Sequence, residues 1–293
     1  MVRIGVIGTK DGWSSERLAK TVSRMTGFGL LIEMDEVRLD FSSGDAWCDG
    51  INLVQLDGLI IKKIGGEYSH DHQDRLEMLR YLNEKGLPVY SSPLSIMRVL
   101  DRLSCTVTLR VNDIPMPPTT ITANVDEALD AVRSYGEAVF KPIYTSKARG
   151  MRVISDGSAA REQIEAYKLR NPIMYIQKKI DLNGRDLGVA FLGGEYLATY
   201  ARCNQGNSWT TSTFFGGKYQ SCHPSQETIE VATKAQSLFG LDFTCVDVVE
   251  TDKGPSVFEV SAFGGFRGLL EANGIDAAEL YTEYVLSKLD KGN

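Results

Sequence analysis

The stretch Phe243–Val260, FTCVDVVETDKGPSVFEV, decides the reading of this chain. Phe243–Val249 alternates in character, so Asp247 projects from one face of a strand. Val257-Phe258-Glu259-Val260 places a second carboxylate on the adjacent strand, after a short turn over Asp252–Pro255. Two carboxylates on paired strands are hard oxygen ligands. They suit Mg²⁺, which keeps several waters and accepts phosphate oxygens.

Upstream, Ala138-Val139-Phe140-Lys141-Pro142 reads as a strand ending in a lysine. It leads into Tyr144-Thr145-Ser146-Lys147-Ala148-Arg149-Gly150, and Met151–Ile154 returns as a strand. The hairpin loop is basic and hydroxyl-bearing. Lys141 and residues 145–150 thus offer ammonium, guanidinium, hydroxyl and backbone N–H donors to phosphates. Each residue alone is an ordinary surface charge; the ordered set has a function.

The rest of the chain frames this set. Val2–Ile7, Phe28–Met34, Gly58–Lys62 and Leu87–Tyr90 are apolar runs separated by helical patterns, one with Leu18, Val22 and Met25 on a face, another with Leu76, Leu79 and Leu82. This alternation predicts a small parallel α/β domain over residues 1–90. Ser92-Pro93 and an Asn124/Glu127 pair read as helix starts, within a second domain over 91–185. Residues 186–293 form a third, with strands at Leu187–Leu192 and Tyr196–Cys203 turned by Gly193-Gly194, and helices over Gln226–Phe239 and around Ala277–Leu289. The patterning thus gives an α/β domain over residues 1–90, with mixed strands and helices after it.

Several function classes are excluded. With 293 residues, 43% apolar and 24% charged content, the chain is neither disordered nor fibrous. A net charge of −6 leaves no basic footprint for nucleic acid. There is no GxGxxG and no GxxxxGK[ST]. Cys48, Cys105, Cys203, Cys222 and Cys245 form no CxxC pair, so reduced thiols and a cytoplasmic location are expected. His70 and His72, beside Asp71 and Asp74, read as a solvated capping segment rather than a metal site. No run approaches a membrane span.

The landmarks Ser91–Leu103, Val139–Pro142, Tyr175-Ile176-Gln177, Gly184–Leu187, Gly216-Gly217, Val246–Val248 and Phe258–Val260 occur in an order and at separations that resemble the ATP-grasp superfamily. Within it they resemble the RimK-like carboxylate–amine ligases, over roughly residues 88–290. The resemblance implies the fold class α/β and α+β: a small parallel α/β pre-ATP-grasp domain, then two α+β subdomains, a central lid and a C-terminal catalytic one, with the nucleotide between them. It implies ATP held by Lys141 and Arg149, with Gln177, Lys178, Lys179 and Ile180 at the adenine-facing hinge and Asp186 as a nucleotide-contacting acid. Asp247, Glu259 and Ser261 would hold Mg²⁺, with Mn²⁺ as an alternative ion. Arg202 would face the transferred phosphate, and Arg267 would orient an acidic substrate. The implied reaction joins an acid to an amine, glutamate among the candidates, through an acylphosphate. The tail EVSAFGGFRG resembles members of methylofuran or tetrahydromethanopterin biosynthesis. The expected partners are ATP and small acid and amine substrates, in a homo-oligomer, with no nucleic acid and no membrane. The chain departs from the pattern at Ser261, Lys178, Asp101-Arg102 and Trp209–Ser212. These departures motivate a second reading, a nucleotide-binding sensor or subunit without turnover.

Overall fold

The structure, a computed structural model, describes residues 1–66, 69, 71–146, 148–204 and 208–292. His70, Lys147 of the basic hairpin and residues 205–207 lie outside them.

The chain opens with β1 (Ile4–Ile7), α1 (Trp13–Thr26) and β2 (Leu31–Ile32). Gly27 ends α1 in the left-handed conformation, which a residue without Cβ adopts readily. A small antiparallel insertion follows, β3 (Arg38–Asp40), β4 (Asp45–Cys48) and β5 (Ile51–Asn52), and then β6 (Gly58–Ile61), α2 (Asp71–Glu84) and β7 (Val89–Tyr90). The main sheet runs β2-β1-β6-β7, all parallel. β1 and β6 are buried throughout, as strands covered on both faces must be. The run Phe28–Met34 contributes only two residues to this sheet and gives way to a 3-10 turn at Met34–Glu36. His72 corrects an expectation: it is buried, and its Nδ1 lies 3.0 Å from the backbone nitrogen of Ser69.

The middle of the chain contains α3 (Pro93–Leu100), α4 (Arg102–Val111), β8 (Thr119–Thr122), α5 (Val125–Tyr135), β9 (Glu137–Lys141), β10 (Arg152–Ser155), α6 (Ala160–Lys168) and β11 (Met174–Lys178). Its antiparallel sheet is ordered β10-β9-β11-β8. Asn124 caps α5 by accepting from the backbone N–H groups of Asp126 and Glu127. Ser92 makes no side-chain cap; Asp101 caps α4 instead, accepting from the Ser104 N–H at 2.6 Å.

The last part holds β12 (Arg185–Leu192), β13 (Glu195–Cys203), β14 (Lys218–Ser221), α7 (Gln226–Ser237), β15 (Phe243–Thr251), β16 (Gly254–Ser261), α8 (Phe266–Asn273) and α9 (Ala277–Gly292). One antiparallel sheet takes the order β14-β13-β12-β15-β16. Helices α3 and α4 pack on β16, whereas α9 packs back on α1. The core of the parallel sheet is therefore continuous with that of the last antiparallel sheet, and the middle sheet keeps a smaller core around Phe140, Ile164 and Ile176. Among the described residues no helix is long and apolar enough to cross a membrane.

Candidate active site

Antiparallel pairing sets the acidic face. Asp247 on β15 lies opposite Glu259 on β16, and a register shift follows between Asp247 and Val248. On the other side Asp247 pairs with Gly188 of β12, two residues beyond Asp186, so Asp186 shares its face. Arg202 of β13 sits directly opposite Asp186. Its Nε donates to Asp186 Oδ1 at 3.2 Å and its Nη2 to Asp186 Oδ2. The same Nη2 reaches Asp247 Oδ2 at 2.9 Å. Burial pushes the Asp247 carboxyl up, Arg202 draws it back, and the Glu259 and Asp186 charges add to the rise. This is a concentrated acidic site, with the Arg202 guanidinium spanning Asp186 and Asp247.

The middle sheet supplies a cation from the opposite side. Lys141 ends β9, and its Nζ donates to Gln177 Oε1 at 2.6 Å and lies 4.8 Å from the Phe258 ring centroid. Burial, and then the neighbouring Arg102, bring this ammonium down to about 7. Gln177 is 1% exposed, and its Nε2 donates to Thr119 Oγ1 at 3.1 Å, so its side chain orients Lys141. In the segment expected to be the hinge, the Lys178 N–H donates to Pro118 O and the Lys179 N–H to Glu137 O. These two N–H groups are thus committed within the protein. Lys179 also pairs with Glu137 at 2.8 Å.

Lys141, Gln177, Lys178, Lys179, Ile180, Asp186, Arg202, Asp247, Glu259 and Ser261 all line one cavity of about 330 Å³. Val139, Met151, Leu182 and Phe258 give it an apolar wall, and Trp209 and Tyr219 close another side. The volume falls at the lower end of the range for small-molecule sites, about 300–1,000 Å³. Two expected residues lie elsewhere. Arg149 stands over the Phe214 ring at 5.9 Å. Arg267 stands over Trp13 at 5.0 Å and lines a neighbouring cleft with Phe214, Lys218 and Tyr219.

Arg102 belongs to this site although its sequence signal was only a departure from a pattern. It is 7% exposed. Its Nη1 meets Glu259 Oε2 at 2.7 Å, its Nε donates to Pro142 O at 3.1 Å and its Nη2 to Thr145 O at 3.2 Å. One side chain thus ties the acidic face to the basic hairpin. Tyr200 is a second unannounced element. Its ring lies against Gly188, Gly265 and Gly268, and its hydroxyl is 3.4 Å from Cys245 Sγ. A Cβ at Gly268 would stand 2.6 Å from that ring. The five cysteines are unpaired.

Comparison with known proteins bears on the family and the fold. The sequence profile of the RimK-like ATP-grasp domain matches residues 99–285. The tetrahydromethanopterin:alpha-L-glutamate ligase of Methanosarcina acetivorans is 25% identical, over 97% of this chain and 99% of that protein. The ribosomal protein bS6–L-glutamate ligase of Salmonella paratyphi B is 26% identical, over 94% and 93%. A solved structure of the ATP-grasp ligase PsnB with a minimal precursor, Mg and ADP superposes with a TM-score of 0.74, at 17% identity over 98% of this chain and 97% of that one. The chain belongs to the RimK-like ATP-grasp family.

Proposed function

We propose that this ATP-grasp ligase activates a carboxylic acid with ATP and joins it to the amine of L-glutamate, in the building of a small-molecule cofactor. One observation carries the reading: Lys141, Arg202 and the Asp247–Glu259 pair converge on a single cavity from two sheets. The donor set fits the reactants. Cations meet phosphate oxygens, paired carboxylates and the Ser261 hydroxyl suit a hard divalent ion, and the Val139–Met151–Phe258 wall suits a purine ring.

Asp247, Glu259 and Ser261 would hold Mg²⁺, which when bound neutralises phosphate charge; Mn²⁺ meets the same oxygen ligands. Lys141, oriented by Gln177, binds the phosphate chain. Arg202, held in place by Asp186 and Asp247, faces the transferred group, where preorganised positive charge lowers the barrier. The acid's oxygen attacks the γ-phosphorus, giving an acylphosphate and ADP. The amine then attacks the acyl carbon, phosphate leaves, and the nitrogen loses a proton to give the amide. Arg267, in the adjoining cleft, is placed for a substrate carboxylate. The relatives' reactions support glutamate as a substrate. ATP supply and the unpaired cysteines support a cytoplasmic setting.

The test is turnover of Mg·ATP with L-glutamate and a panel of carboxylic acids that includes reduced pterin cofactors, read by mass for ADP and amide together. Joint formation of ADP and amide supports the ligase. Tight Mg·ADP binding with no amide from any acid replaces it with the nucleotide-binding module that the change at Ser261 also suits.

A further inference from the structure

Lys62 is a buried titratable group outside the machinery above. It follows β6 at the carboxyl end of the parallel sheet and is 3% exposed. Its side chain leaves its own domain. The ammonium donates to the backbone carbonyl of Phe263 and to that of Gly264 at 3.3 Å, and lies 4.1 Å from the Phe266 ring centroid. Among the described residues it has no carboxylate partner, and burial, then the neighbouring Lys63, bring it down to about 7. Burying an amine in this way is unfavourable unless its donors are satisfied. Here two carbonyls and a ring face do so.

Those carbonyls belong to the bend between β16 and α8. The bend follows Glu259 and Ser261 and precedes Arg267, and Gly264 and Gly265 within it line the central cavity. It is already tightly seated. Gly264 has φ +44, and any Cβ there would run into the Phe243 ring; a Cβ at Gly265 would run into Tyr200. The rings fix the Cα positions, and Lys62 fixes where the carbonyls point.

We propose that Lys62 is a positioning residue for the ligase reaction. By holding the Phe263 and Gly264 carbonyls it orients the bend, so that Ser261 faces the cavity and Arg267 faces the adjoining cleft. The first domain then acts in the chemistry through one side chain. The inference rests on the ligase reading above, but its structural half is measurable without turnover.

The experiment compares Lys62→Met with the unaltered protein in three measurements. Hydrogen exchange of the amides of residues 262–266 in the Mg·ADP complex should quicken by tenfold or more. The Kd for ADP in EDTA should stay within about twofold, because Lys141, Arg102 and the acidic face are untouched. Turnover with L-glutamate, and the acid that the panel identifies, should show kcat reduced tenfold or more, or KM for L-glutamate raised as much. Lys62→Arg, which keeps donors on a similar stem, should recover part of each loss, and Lys62→Gln, which is too short to reach the carbonyls, carries the same comparison if Lys62→Met does not fold. Unchanged exchange at 262–266 overturns the proposal whether or not the ligase reading stands. A fall in metal-free ADP affinity as steep as the fall in turnover also overturns it, because that marks general damage to the site. Absence of turnover in the unaltered protein counts against the ligase reading alone.

Discussion

Raising the pH from about 7 to about 9 should weaken Mg·ADP binding by about ten- to thirtyfold, and Lys141→Met should remove that dependence. Lys141 is 8% exposed, and its ammonium is brought down to about 7 by burial and by Arg102. It is therefore about half charged at pH 7 and about one part in a hundred charged two units higher. A phosphate oxygen needs the charged form. Affinity from this contact is fully present below about pH 7 and lost as pH rises, roughly tenfold per unit, until the value in the complex is passed. Binding at about pH 8 must then draw more than half a proton per site from the buffer. Calorimetry in two buffers of different ionisation enthalpy measures that proton directly. Lys141→Met should also weaken binding at about pH 7 by ten- to hundredfold, since a charge-assisted hydrogen bond contributes about 1.5–3 kcal/mol. A flat affinity for the unaltered protein across this range, with no proton uptake, would refute the placement of Lys141 against phosphate.

Two further outcomes follow from the acidic face and its brace. Glu259→Gln keeps the shape of β16 but removes a carboxylate, so added Mg²⁺ should no longer strengthen ADP binding, while binding in EDTA stays near that of the unaltered protein; a Mg²⁺ effect of the same size in both would remove Glu259 from the metal site. Arg102→Met breaks bonds to Glu259, Pro142 O and Thr145 O at once, and should lower stability by about 2–4 kcal/mol in urea titration. A loss under about 1 kcal/mol would mean that these three contacts hold little.

How much of this was legible depends on whether a feature is local. The alternation around Asp247 and Glu259 was readable because period-two patterning places both on one face, and β15 and β16 pair them as expected. The hairpin flanking Lys141 and the Gly193-Gly194 turn were readable for the same reason. Strands β3, β4 and β5 were not, since two to four residues give periodicity no window. Gln177 was expected at the hinge, yet its side chain faces Lys141 because β11 and β9 are neighbours. Arg102 and Lys62 were hidden for a deeper reason. Arg102 meets Glu259 from 157 positions away, and Lys62 meets Phe263 from 201. Such meetings are products of tertiary packing and leave no trace in spacing.

The phenol of Tyr200 has an evolutionary corollary. It keeps Gly188, Gly265 and Gly268 bare, although these come from a strand, a bend and a helix. None of the three can gain a methyl by itself without meeting that ring. A smaller residue in place of Tyr200, however, would open room that several such methyls could share. Variation at these four positions should therefore be epistatic, and a library aimed at reshaping this part of the pocket should randomise them together.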